Sequence, residues 1–546
     1  MTLRGSLVTK CALAYLGAPT IIFLFGWLRW EIGVPAALLV GAALLRAFRG
    51  MGAGESLEPL AEPAEELKMS RMVALALVGG IVIWCIMAGQ GGLVVQTNDW
   101  NWRNATFRDL ITHEWPVRYD AWNRALVFYV GHWLPSAIVG KLALAATGNL
   151  AMAWRIGNLA LLAWTSFGVA LALAQLLLLL KAHSALRQLA VLLLLVFWGG
   201  CDAFGTTMLN LKRILAGASA DSLWWKFGSW WFDRYYQFSP NSTCLYWVFH
   251  QAVPAWVAIL LVARGMHLST IALVLSFVLI CSPLPGIGIA FFAVVLSGRR
   301  MFELIRDGRW RIAVSDALSF QNMTGVLVVF PAVALFFFSN SQSDRFSLAW
   351  SERGACWFAS RTALFLACVV GPYLALTFRR FRKSIWWWCV LVWSCVCPAV
   401  RIGGEADFCM RASIPAMMCL SALCFLSVSD YMLHRSKLAL ALLGFMVMGT
   451  FVPCREMSLY LRRLSATDFG VVEADRIVTF DQDLEAKFLN EKGYWPGIGD
   501  WITSKCNIKS PDDAFFYRYV ARHRRVGGAQ KKDGQGMKGA CDENIR

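Results

Sequence analysis

The feature that most constrains this chain is a series of apolar runs, many near the ~18–20 residues that carry a helix across the hydrocarbon core of a bilayer. Lipid offers no water to bond backbone N–H and C=O groups, so a spanning segment must be a helix or part of a closed barrel. Barrel strands alternate in polarity. The runs here do not: Leu171–Leu180 and Val191–Trp198 are continuously or nearly continuously apolar. Of 546 residues, 58% are hydrophobic and 16% charged, where a soluble domain carries about 25% charge. The expectation is an all-α integral membrane protein.

Thirteen spans are predicted, at 11–28, 33–46, 72–94, 150–180, 188–205, 243–264, 268–281, 284–298, 318–338, 358–378, 385–400, 412–430 and 438–453. Some of these runs are short, so a neighbouring pair could be a re-entrant hairpin. A charged linker fills 47–71, and a polar, aromatic stretch runs from Gln96 to Asn123. Residues 124–146 are apolar but broken by Gly131, Pro135 and Gly140, and read as helix in the interface, the depth that Trp and Tyr favour. The domain reading is a transmembrane core over 1–455, a small segment over 456–526 and a disordered Gly/Lys-rich tail over 527–546.

Formal net charge is +17. On a soluble protein that would suggest nucleic acid, but here the basic residues sit in short loops, the pattern that orients membrane proteins. With the N-terminus cytoplasmic and 124–146 not spanning, the clusters Lys181/Arg187, Arg264, Arg299–Arg311, Arg379–Lys383 and Arg435/Lys437 all fall on one side. The stretches 95–123, 205–242, 339–357, 401–411 and the C-terminal segment then share the other, extracytoplasmic side, and these hold most of the unusual polar residues. The 16 cysteines show no metal-ligand spacing, and Cys395 and Cys397 do not form a CxxC pair.

The richest polar stretch runs from Thr97 to Asp120 and carries Asp99, Asp109, Glu114, Arg118 and Asp120 among tryptophans. Carboxylates at a membrane interface are costly unless paired or hydrated. One could act as a general base and others could hold a divalent cation, while the aromatics suit sugar faces; the alternative is a solvated loop anchored by Trp100, Trp102 and Trp115. Asp407 and Arg411 are four apart and would share a helix face, either to bind a phosphate through Arg411 or as a structural ion pair. His250 follows the turn signal Ser239-Pro-Asn241, as a ligand or as packing. Ser282-Pro-Leu-Pro-Gly286 should bend the chain and shape a cavity. No nucleotide-binding, zinc-protease or nucleophile-elbow motif is present, so an enzyme here would take a lipid-borne or external substrate.

The chain resembles the GT-C class of membrane glycosyltransferases, and more narrowly a largely uncharacterised group of bacterial multi-pass membrane proteins. The matching pieces are Thr97-Asn-Asp-Trp100 with Arg108-Asp-Leu110, Trp115-Pro-Val117, Leu134-Pro135, Ser239-Pro-Asn241 with His250, Ser282-Pro283, Asp407-Phe408 and Met410-Arg-Ala-Ser-Ile-Pro415. Two features depart from it: Ala406 stands where that group tends to have Asn, and the acidic loop follows the third span rather than the first. The resemblance implies sugar transfer from a polyprenyl-phosphate donor to a glycan or lipid acceptor, on the extracytoplasmic face of a bacterial inner membrane. Asp99 would be the base, with Arg118, Asp120, His250, Asp407 and Arg411 binding substrate. Mg²⁺ or Mn²⁺ is the metal such carboxylates would suit, and no cofactor is assigned. The competing readings are a flippase for lipid-linked glycans and a ligase or polymerase without a carboxylate base.

Overall fold

The computed structural model describes residues 2–50, 54–94, 96, 99–217, 235–340, 346–403, 405–466, 472–474, 477, 507–509 and 511–522. The predicted tail, 527–546, lies outside the described residues. Seven described helices are long and apolar enough to cross a membrane, and two bent pairs raise the number to nine. The bends, 46° between Ala185–Phe197 and Asp202–Met208 and 67° between Ala355–Val369 and Gly371–Phe381, fall at Gly199-Gly200 and at Gly371-Pro372. Glycine adds no side chain to obstruct a bend, and proline lacks the N–H that would continue the ladder. Shorter apolar helices are Arg71–Met87, Leu268–Leu279 and Ile385–Ala399. The described strands are two or three residues long and form small antiparallel pairings.

The helices share two ends. At the first, linker residues 54–68 tie the basic loops together. Leu57 N–H donates to Met266 O (2.9 Å), Leu60 N–H to Ala263 O (2.8 Å) and Ala64 N–H to Leu178 O (2.9 Å). Gln188 reaches Lys68 O and Trp386 reaches Glu58 O. Arg300 and Arg309 both pair with Glu55, and Arg299 pairs with Glu58 at 2.9 Å. Arg187 donates to Ser429, and Arg380 pairs with Asp430 at 2.6 Å. The basic clusters separated in sequence thus lie at one end, and Ser70, Ser184 and Ser436 cap helices that start there.

The other end gathers the polar stretches. Strand Arg124–Leu126 pairs with both Arg118–Tyr119 and Asn507–Lys509. Ser347–Leu348 pairs with Val400–Arg401, and Arg401 pairs with Glu352 at 3.1 Å. The C-terminal stretch 511–522 returns to the first span: Arg29 N–H donates to Val520 O and Arg522 N–H to Trp27 O. Helix Phe451–Ala466 continues through the boundary predicted at 455, as the end of an apolar stretch running to Leu461.

Two turns are buried between these ends. The stretch 124–147 enters from the polar end, turns at Val130–Trp133 and returns as helix Leu134–Thr147. This differs from a helix lying flat in the interface. The returning helix runs antiparallel to Leu150–Leu179, with His132 level with Thr165 and Gly140 beside Gly157. Those two glycines let the backbones approach closely, where Cβ atoms would meet Ile111 at 2.8 and 3.0 Å. From the basic end, 268–306 forms a second hairpin. Leu268 N–H and Arg300 both bind Glu55, while the turn, Ile280–Ser282, is buried inside the bundle. Ser282 precedes helix Pro283–Arg306 without a side-chain capping bond, and the Ser-Pro-Leu-Pro-Gly stretch does bend the chain.

Candidate functional site

The site is organised by a break in the buried helix Asn241–Ala263. Val248 has φ −143° and ψ 35°, outside helical geometry. A broken helix leaves carbonyls without their partners four residues on, and inside a bundle each must find another donor. Gln90 is 3.5 Å from Leu245 O. Arg103 donates to Tyr246 O at 3.2 Å and also to Trp247 O. Further along the helix, Ser282 Oγ donates to Gln251 O at 2.6 Å, and Pro254, which lacks an N–H, cannot bond the His250 carbonyl.

Arg103 projects from helix Trp100–Thr112, which opens the polar loop. Its side chain is fully buried, and it pairs with Asp99 at 3.0 Å. Trp100, Trp102 and Phe249 present ring faces at 5.7, 5.2 and 5.7 Å from the guanidinium carbon, a cation–π enclosure. Burial pulls the Arg103 pKa down to about 10 against the opposing pull of Asp99, so Arg103 stays cationic at neutral pH. Asp99 is 23% exposed and retains access to the space outside the helix.

The second charged pair comes from the short helix Asp407–Ala412. Arg411 holds Asp407 at 2.7 Å, the i,i+4 pairing expected. Arg411 also lies within electrostatic reach of Asp99, Arg103 and the Tyr129 hydroxyl. The structure therefore brings Asp99, Arg103, Asp407 and Arg411 into one cluster across about 300 residues of sequence. Helix Phe451–Ala466 adds a third pair: Arg455 and Glu456 are 3.3 Å apart, Trp247 Nε1 donates to Glu456 at 3.4 Å, and the Tyr460 ring meets Tyr246 at 4.6 Å.

His250 is buried just past the break. Its ring stacks on Trp133 at 4.6 Å and is bordered by Trp102, Phe128 and Tyr129. Nε2 lies 3.3 Å from the Gln251 amide, and Nδ1 has no hydrogen-bond partner. These are the contacts of a packing residue with one spare polar atom. Arg118 is engaged by the C-terminal stretch, donating to Tyr517 O at 3.4 Å and lying over the Tyr517 ring at 5.2 Å. Asp120 is exposed and opens a single 3-10 turn beside the small sheet. Asp109 is buried and accepts from Tyr119 Oη at 2.7 Å, which fits it to hold the loop rather than to meet substrate.

Among the described residues no three His, Cys, Asp or Glu side chains converge as metal ligands. Asp99 and Asp407 each pair with an arginine, and no set of carboxylates that would fit Mg²⁺ or Mn²⁺ is assembled around them among the described residues. Sequence reasoning passed over Arg103 and Glu456. The i,i+4 spacing of Asp99 and Arg103 was available as a signal; nothing in the sequence announced the helix break that Arg103 serves. No protein-family model matches the chain, and no curated protein matches it.

Proposed function

We propose that this protein is a glycosyltransferase of the bacterial inner membrane. It takes a sugar from a polyprenyl-phosphate donor and transfers it to a cell-envelope glycan or lipid acceptor on the extracytoplasmic face. The end that carries Asp99 and Arg411 is then extracytoplasmic, the basic loops and N-terminus are cytoplasmic, and the C-terminal stretch is extracytoplasmic. The observation that supports this reading is Arg411, which is paired with Asp407 and within electrostatic reach of Asp99. A cation is thus within electrostatic reach of a carboxylate that is 23% exposed.

In the reaction, Asp99 accepts the proton of the acceptor hydroxyl as its oxygen bonds to the anomeric carbon. The bond from that carbon to the phosphate oxygen breaks, and the electron pair leaves with the polyprenyl phosphate. Arg411, with its planar fork of donors, stabilises the charge on that leaving group. Arg103 orients Asp99, and Trp102 and Trp247 supply aromatic surface beside the site.

The test is Asp99→Asn, with transfer from a polyprenyl-phosphate sugar and folded yield both measured. Asn keeps the shape and cannot take the proton, so turnover should fall by about 10²–10⁴-fold at unchanged yield. Near-wild-type transfer would remove Asp99 from the role of base. A second reading, transport of lipid-linked glycans, is favoured by the two buried turns entering from opposite ends, since broken helices commonly build transporter sites. Movement of a fluorescent lipid-linked glycan across proteoliposomes, without any bond broken, would select it.

A further inference from the structure

We propose that the basic end of the fold holds a binding site for a phosphate-bearing headgroup that also carries an ammonium group, of the phosphoethanolamine type. The site lies at the opposite end from the Asp99 cluster and does not depend on the reaction proposed there. A cavity of about 600 Å³ opens between the N-terminal stretch, the linker and the end of helix Asn241–Ala263. Arg264, the residue that ends that helix, lines it.

The surroundings of Arg264 lack a counter-ion. Its Nη1 donates to Thr9 Oγ1 and its Nη2 to Gly5 O, both at 3.3 Å, while Nε is buried without a partner. Both acceptors are neutral, and Arg264 makes no ion pair among the described residues. Gly5 is part of the construction: a Cβ there would stand 2.9 Å from Nη2, so a larger residue would push the guanidinium aside. A partly buried cation without a carboxylate is costly, and the geometry leaves its remaining donors to a ligand. A phosphate suits them, because its oxygens match the fork of an arginine. Arg4 lines the same cavity and makes no ion pair among the described residues.

The rest of the lining makes the ligand more specific. Glu62, Glu65 and Glu66 border the cavity with exposed side chains, yet none pairs with Arg4 or Arg264. Three carboxylates would repel a purely anionic ligand, and a cavity lined by both arginines and carboxylates, with Arg4 and Glu66 opposite each other across strands Thr2–Arg4 and Glu66–Lys68, fits a zwitterion. The phosphate would lie at Arg264 and the ammonium at the glutamate rim.

The test uses the purified full-length protein in detergent, with native mass spectrometry reading bound ligand. The probes are dihexanoyl-phosphatidylethanolamine, dihexanoyl-phosphatidylglycerol and O-phosphoethanolamine. The wild type should bind the ethanolamine lipid saturably and the glycerol lipid about tenfold more weakly or worse. Arg264→Gln should weaken both lipids. Because that variant also loses support for Thr9 and Gly5 and can fail to fold, the triple variant Glu62→Gln/Glu65→Gln/Glu66→Gln, confined to exposed side chains, gives an independent reading: it should abolish the preference for ethanolamine. Equal binding of the two lipids by the wild type, an unchanged preference in the triple variant, or no saturable binding of any probe would overturn the proposal. If O-phosphoethanolamine binds as well as the lipid, the ligand is a soluble phosphate ester; if only the lipid binds, the source is the bilayer.

Discussion

Gly131 and Ile280 are joined by a hydrogen bond, with the Gly131 N–H donating to the Ile280 carbonyl at 3.1 Å. Each sits in a buried turn, and the two turns enter the bundle from opposite ends. A Cβ on Gly131 would stand 2.6 Å from Cys281 Sγ and 3.0 Å from the Ile280 carbonyl carbon. The backbone cannot yield without separating the turns. Gly131→Ala should therefore destabilise the protein by about 1–3 kcal/mol, the usual range for overpacking, read as a lower melting temperature in detergent. An unchanged melting temperature would mean that the two turns do not meet this closely.

Arg103 makes three polar contacts at once, to Asp99 and to two carbonyls released at Val248. Lysine has no planar fork and cannot repeat them. We expect Arg103→Lys to leave at least one buried acceptor unpaired, at a cost of about 1–3 kcal/mol. Its effect should also be coupled to that of Asp99→Asn, by about 0.5–3 kcal/mol in a double-mutant cycle on stability. Strict additivity would show that the pair does not act together.

Glu55 connects the linker to the second hairpin. Its hydrogen bond to Arg300, with further help from Arg309, holds its carboxyl below the ordinary range; the bond from Arg299 does the same for Glu303. A depressed folded-state pKa means that the added stability is present above the unfolded value, about 4.3, and drains away as pH falls through the folded value. Melting temperatures of wild type and Glu55→Gln should therefore differ at pH 7 and converge as pH falls below about 4. A gap that persists at low pH would assign the effect of the substitution to packing instead.

The side of the membrane is testable separately. A reporter active only in the cytoplasm should be silent when fused after residue 460 and active when fused in the loop at Arg382. The reverse pattern would exchange the two faces and place the Asp99 cluster in the cytoplasm.

Several of these features could be read from the chain alone. The Asp407–Arg411 pair was visible because helical spacing fixes which neighbours share a face. The Ser282 bend was visible because proline removes a donor wherever it sits. Asp120 and Arg118 had the same local credentials as Asp99, but folding put them beside the small sheet and the C-terminal stretch. The difference between them lies in what packs against each, which no local pattern encodes. The predicted pair of spans at 268–281 and 284–298 shows the same limit. Both runs are apolar, and apolarity gives burial without saying whether a helix crosses the bundle or turns back inside it.

The sequence by itself determined that this is a helical membrane protein with its basic loops at one end and its acidic, aromatic stretches at the other. Those properties follow from the solvent, since lipid accepts only internally bonded backbone and charges collect outside it. Only the tertiary structure decided which charges meet. Asp99 and Arg411 belong to elements far apart in the chain and come within electrostatic reach of each other, beside a helix break at Val248 whose carbonyls Arg103 satisfies; elsewhere in the bundle two turns meet at Gly131. Each is a long-range packing outcome, fixed by shape and hydrogen-bond demand across the whole bundle rather than by the spacing of residues within any one segment.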